Sequence, residues 1–296
     1  MATPSSRVMH PDAEPCDRRA WLAGVLRFAL ALLAPLVAAA PAVATWSVVA
    51  VDPETREVGA AGASCILGSQ VIAEIVPGRG AAVAQAFTNP EAGPRLRAAL
   101  AAGQSAAAAI SGVTSRWFDS FVGAPLSNLR QYGAAALLSP EAPANFTGRW
   151  TISWSGARRA PGVSVQGNSL RGPQVVDQAL EAFQADGRGC QPTLADRLIA
   201  GLAAGAAAGG DRRCAPELSA LSAFLFVAGP EDAPGHSRLQ LVRNRPGEPP
   251  WTPWREIQNA MRPQPGTAGE NPVRLLEAAY EAWLVDSGSA PRCAPR

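Results

Sequence analysis

The sequence predicts a mixed α+β protein built in layers, and three observations predict it. The main domain opens with a strand carrying apolar residues on both faces, Thr45 to Val51, and a returning strand rich in Gly and Ala, Val58 to Cys65. Its second half carries two adjacent helical patterns. Further strands lie on both sides of those helices, which favours a stacked sandwich over alternating βαβ units.

Each element has its own reason. Asp52-Pro53-Glu54-Thr55-Arg56-Glu57 joins the first two strands as a hairpin connection. Gly and Ala in the second strand allow close packing of layers. Ala81 to Phe87 reads as a third strand, and an Ala-rich helical region runs from Pro94 to about Trp117. Tyr132 to Leu138, Trp150 to Trp154 and Val163 to Gln166 follow as strands. The period then changes: after Pro173, Val176, Ala179, Leu180 and Phe183 form one apolar face of a helix. Thr193 caps the next helix, with Asp196 three residues on and Leu194, Leu198 and Leu202 inside. Ser219 to Ala228 and Arg238 to Val242 return as strands. From Arg245 to Trp254 a Pro/Trp-rich linker follows, and Asn271-Pro272 opens a last helix with Leu276, Tyr280 and Trp283 on one stripe.

Residues 1–44 have the pattern of an export signal. Arg18 and Arg19 precede an apolar stretch from Phe28 to Ala40, which closes on Ala42-Val43-Ala44, a small-x-small cleavage site. The stretch is short for a bilayer span, and Arg27 interrupts it, so a cleaved signal is preferred over an uncleaved anchor. The segment Asp17-Arg18-Arg19-Ala20-Trp21-Leu22 is similar to a twin-arginine signal; an ordinary secretory signal fits as well. The expected organisation is a signal peptide at 1–44, a main domain at 45–243, and a linker with a helical extension at 244–296. The expected location is the periplasm or the extracellular space, with no permanent membrane span after processing.

Composition narrows the chemistry. All 26 basic residues are arginine, and the formal net charge is +2, so the clustered positive surface that nucleic acid demands is not indicated. Only two histidines occur, His10 in the signal and His236 in a Pro/Gly-rich loop, which excludes zinc sites built on histidine pairs. No metal or cofactor motif is present. Beyond the signal stand four cysteines, an even number that suits disulfides in an oxidising compartment. Cys190 with Cys214 is the favoured pair, since the two flank one helix. Cys65 is left either buried and free or paired with Cys293.

Cleavage after Ala44 would make Thr45 the first residue. A threonine hydroxyl needs a base to attack a carbonyl. An N-terminal threonine carries one, because its α-amine has a pKa of about 8 and is partly neutral at physiological pH. That arrangement suits a chain with no lysine and almost no histidine.

Four segments then carry a resemblance: residues 45–55 from Thr45 through Asp52, Gln85-Ala86-Phe87-Thr88-Asn89-Pro90, Val165 to Pro173 around Asn168, and Gly209-Gly210-Asp211-Arg212-Arg213. In this order they resemble the domain-of-unknown-function family 1028 over roughly residues 45 to 243. Members of that family look like N-terminal-nucleophile (Ntn) hydrolases, which implies a four-layer αββα sandwich with the first residue of the first strand as nucleophile. The family has no established activity, so the resemblance yields the fold and the nucleophile position, Thr45, and no substrate. On that basis the expected protein is an exported amidohydrolase in which Asn168 donates to the oxyanion, as a side-chain amide can, and Asp211 is an acid near the amine. Gln85, Asn89 and Gln166 would line the substrate pocket, and the partner would be a small-molecule or peptide amide. Ntn-like sandwiches often associate through their helical layers, which leaves a homo-oligomer open. One departure stands out: after Arg213 the common pattern continues Gly-Arg-Gln-Ser, whereas this chain has Cys214-Ala215-Pro216-Glu217. The alternative reading is a non-catalytic exported binding module that keeps the sandwich.

Overall fold

A computed structural model of the chain describes residues 42–43, 45–121, 124–187, 189–245 and 266–293. Within them it is an α+β protein with two large antiparallel sheets and five α-helices. The strands are β1 Ala42–Val43, β2 Thr45–Val51, β3 Val58–Ser64, β4 Ala73–Val76, β5 Gly80–Phe87, β6 Ser120–Phe121, β7 Ala124–Pro125, β8 Arg130–Ala136, β9 Ala144–Thr147, β10 Trp154–Ala160, β11 Val163–Leu170, β12 Ser222–Ala228 and β13 Leu239–Asn244. The helices are α1 Ala92–Ala101, α2 Ala106–Thr114, α3 Gln174–Gln184, α4 Leu194–Ala207 and α5 Pro272–Asp286.

The first sheet runs β1-β5-β8-β9, with β4 on the free half of β5; the second runs β10-β11-β2-β3-β12-β13. Helices α1 and α2 pack on the first sheet, α3 and α4 on the second, and the sheets meet through β2, β3 and β11 against β5 and β8. Alternation along each strand divides the work. Trp46, Val48 and Ala50 of β2 enter the core beneath α3 and α4, whereas Val49 meets Val83 of β5 between the sheets. On β8 and β5, Tyr132, Ala134, Ala82 and Ala84 face α1 and α2.

Helix ends follow local chemistry. Thr193 and Asp196 form a reciprocal capping box at the start of α4, as expected. Asp196 also accepts from Tyr280 Oη at 3.0 Å, which ties α5 to α4. Gly205 lets α4 approach β2, since a Cβ there would lie 2.6 Å from Trp46 Nε1. Val273, Leu276, Tyr280 and Leu284 join the core with α4 and β12, so the C-terminal helix packs into the main domain.

Some expectations need revision. The helical region expected from Pro94 to about Trp117 resolves into two helices, because Gly103 takes a left-handed φ of 75° after α1 and Ser105 caps α2 by accepting from Ala108 N–H. The short strands β4 and β9 were not anticipated, and the strand expected at Trp150 begins at Trp154. The Cys190–Cys214 pairing does not form. Cys65 bonds Cys214, and Cys190 bonds Cys293. The reason is length: α4 has 14 residues between those two cysteines. At 1.5 Å per residue the helix sets its own two ends about 21 Å apart, whereas a disulfide needs its Cα atoms within roughly 7 Å, so only long detours of the flanking loops would bring the two together. The helix acts as a spacer where a staple was expected. The signal segment before Ala42 and most of the linker fall outside the described residues.

Candidate functional site

Thr45 is the first residue of β2, one of the two central strands of the second sheet, and it is fully buried. In the β2–β11 register it stands opposite Asn168. On its other side the β2–β3 register pairs Trp46 with Ala63, so Ser64 ends β3 beside it. From the facing sheet, Gln85 Nε2 donates to the Thr45 carbonyl at 3.2 Å.

That contact belongs to a buried polar seam between the sheets. Ser47 Oγ donates to Gln85 Oε1 at 2.7 Å, and Gln85 Nε2 also donates to Gln131 Oε1 at 2.7 Å. The same Gln131 oxygen accepts from Asn168 Nδ2 at 3.1 Å. Gln131 Nε2 in turn faces Thr147 Oγ1, Gly156 O and Gly167 O at 2.9, 3.2 and 2.9 Å. Gln166 Nε2 donates to Ser47 O and Oγ, and its Oε1 accepts from Ser164 Oγ at 2.8 Å. Such a network is stable only when every member finds a partner, and it fixes the geometry around Thr45. Gly133 makes room for it: a Cβ there would sit 2.0 Å from Gln166 Oε1.

Asp211 reaches the site by one further step. It follows the turn Gly209-Gly210 that ends α4 and is fully buried. Its Oδ2 accepts from Cys65 N–H at 2.8 Å and from Arg213 Nη2 at 2.7 Å; its Oδ1 accepts from Arg213 N–H and Nε at 3.0 and 3.1 Å. Arg213 Nη2 donates to Ser64 Oγ at 3.3 Å. The carboxylate therefore holds a buried guanidinium against the strand end beside Thr45, and the Cys65–Cys214 disulfide fastens the same loop to β3.

A second buried ion pair borders the site. Arg130 joins Asp119 through Nε to Oδ2 at 2.9 Å and Nη2 to Oδ1 at 3.1 Å, and it also donates to the Phe87 carbonyl. Asn89 Nδ2 donates to Asp119 Oδ1 at 3.3 Å, while Asn89 Oδ1 accepts from Glu91 N–H at 3.0 Å in the turn into α1. Backbone strain gathers at this end of the sandwich. Ala86, between Gln85 and Phe87, has a φ of 69°, and Ser169, beside Asn168, has 51°, both in the region that favours glycine.

Of the residues expected from sequence, the structure thus brings together Thr45, Asn168, Gln85 and Gln166. Asp211 connects to them through Arg213 and Ser64. Asn89 lies outward, connected through Asp119 and Arg130. Sequence reasoning missed Ser47, Gln131, Ser64, Arg130 and the holding role of Arg213. The available signal was polar residues at two-residue spacing in strands otherwise buried, as in Thr45-x-Ser47 and Ser164-x-Gln166-x-Asn168. Among the described residues no group of three His, Cys, Asp or Glu could hold a metal ion, and no helix is long and apolar enough to cross a membrane.

The profile of a family of unknown function, DUF1028, matches residues 45–245. A crystal structure of a protein from Silicibacter pomeroyi, described with the same family, superposes with a TM-score of 0.60 at 24% identity, covering 81% of this chain and 89% of that one. No curated protein matches.

Proposed function

The chain belongs to DUF1028, a family of unknown function, and within it we propose an exported amide hydrolase of the Ntn type, with Thr45 as N-terminal nucleophile. The observation that carries this reading is the position of Thr45. It starts a central strand, buried between Asn168 and Ser64 with its carbonyl held by Gln85, directly after a small-x-small cleavage motif. We read the helix–sheet–sheet–helix stacking as the αββα sandwich of such hydrolases. Two disulfides support an oxidising destination, since bridges of this kind form outside the cytosol.

Cleavage after Ala44 frees the Thr45 amine. The neutral amine takes the proton of Oγ1 as that oxygen attacks the amide carbon. The carbonyl oxygen becomes a tetrahedral oxyanion, toward which the second Nδ2 hydrogen of Asn168 can donate; its first is engaged by Gln131. Collapse expels the amine product, which receives the proton from the Thr45 ammonium, and leaves an ester on Oγ1. Water, deprotonated by the same amine, hydrolyses that ester. Gln85 and Gln131 position Thr45 and Asn168, and Asp211 acts through Arg213.

Thr45→Ala in the processed protein should abolish turnover of amide substrates and retain the wild-type circular dichroism spectrum. Retained turnover would sink the mechanism. The binding-module alternative draws on one observation, the complete engagement of Asp211 by Arg213 and Cys65. An absence of any acyl adduct on Thr45 would favour it.

A further inference from the structure

Residues on the leader side of Thr45 pair with the first sheet. Strand β1 runs antiparallel to the end of β5, with Ala42 opposite Phe87 and Val43 opposite Ala86. On that same edge β4 covers only Gly80 to Val83 of β5. From Ala84 to Phe87 the edge therefore has two residues of β1 as its only strand partner among the described residues. The other edge of β5 is engaged by β8 from Gly80 to Ala86.

From this placement we infer that the stretch Ala84–Phe87 is a strand-addition subsite for the acyl side of the substrate. The inference rests on the proposed function. The leader ends in Pro41-Ala42-Val43-Ala44 and is bonded through the Ala44 carbonyl to Thr45. In the proposed reaction a substrate's acyl group is bonded to Oγ1 of the same residue, three bonds from the nitrogen that carried the leader, so the path the leader leaves is within its reach. When cleavage removes the leader, the edge residues lose their strand partner, and buried backbone groups demand a replacement. An extended peptide supplies it by β-augmentation.

The edge is prepared for such an occupant. Arg130 fixes the Phe87 carbonyl and is itself held by Asp119, and its guanidinium stacks over the Phe87 ring at 5.1 Å. Ala86 keeps its left-handed φ of 69° at the residue paired with Val43. The loop that supplies Asp119 also carries Trp117, which is 84% exposed. The substrate class assigned is a peptide amide whose acyl side is extended, with small apolar residues like those of the leader.

The test uses the processed wild-type protein and acetyl-Pro-Ala-Val-Ala free acid, a product-like peptide that needs no turnover, titrated by calorimetry. Two companions carry an N-methyl group on the residue equivalent to Ala42 or to Val43. Adjacent residues of a strand direct their N–H groups to opposite sides, so only one of the two faces β5. The parent should bind, and one methylated peptide should bind about five- to tenfold more weakly than the other, the worth of one backbone hydrogen bond. No binding at millimolar peptide, or equal affinities for the two methylated peptides, overturns the inference. Binding without any acylation of Thr45 would refute the hydrolase and leave the subsite standing. Turnover of amides without peptide binding would do the reverse.

Discussion

Replacing Asp211 by Asn tests how the loop beside Thr45 is held. The Asp211 side chain is fully buried and that of Arg213 is 7% exposed, so the pair sits out of water. Asparagine keeps an oxygen for Cys65 N–H but removes the charge that balances the guanidinium and places an amide where Arg213 needs an acceptor. A buried charge that loses its partner costs about 3–5 kcal/mol. In a protein of this size that lowers Tm by roughly 6–20 °C. The assay is urea unfolding of the disulfide-intact protein, followed by tryptophan fluorescence. The double variant Asp211→Asn/Arg213→Met no longer buries an unpaired ion, so it should be more stable than Asp211→Asn alone. A single-variant loss below about 1 kcal/mol, the range of an exposed pair, or a double variant that adds a further full penalty, would refute the reasoning.

Other outcomes follow from the same geometry. Gly133→Ala pushes a methyl to 2.0 Å from Gln166 Oε1 and should cost about 1–3 kcal/mol by overpacking, read as a lower urea midpoint. Gly112→Ala, in α2 with nothing within 4 Å of the new Cβ, should raise stability by up to about 1 kcal/mol through helix propensity. Removing the Cys65–Cys214 bridge, which spans 149 residues, should cost about 5 kcal/mol in the chain-entropy account; calorimetry of the Cys65→Ala/Cys214→Ala variant measures it. The pH profile of kcat/KM should rise with an inflection near about 8, the ordinary range of an α-amine, because the base is active only when neutral. A profile flat from pH 6 to about 9 would contradict that role.

The layered fold was legible because its signals are local. The strand from Thr45 to Val51 carries apolar residues on both faces and is buried throughout, and Thr193 with Asp196 announces a helix start by capping chemistry alone. The break between α1 and α2 could have been read from Gly103-Gln104-Ser105, but the alanine-rich surroundings hid it. The site was only half legible. Asn168 and Gln85 lie near recognisable segments, whereas Gln131 and Arg130 contribute through pairing between strands far apart in the chain. Which distant strand lies beside or opposite another is decided by the tertiary fold, and one strand's sequence does not name its partner. The cysteine pairing is illegible for a similar reason: flanking one helix in sequence does not bring Cys190 and Cys214 together in space, because that helix is rigid.

The most direct test of the central claim is peptide-mapping mass spectrometry of the exported protein after exposure to an activated-ester acyl probe. The expected result is an N-terminal peptide beginning at Thr45 and Trp46 that carries the acyl mass, lost in Thr45→Ala. A chain that begins elsewhere, or a Thr45 peptide that stays unlabelled while other residues react, would contradict it.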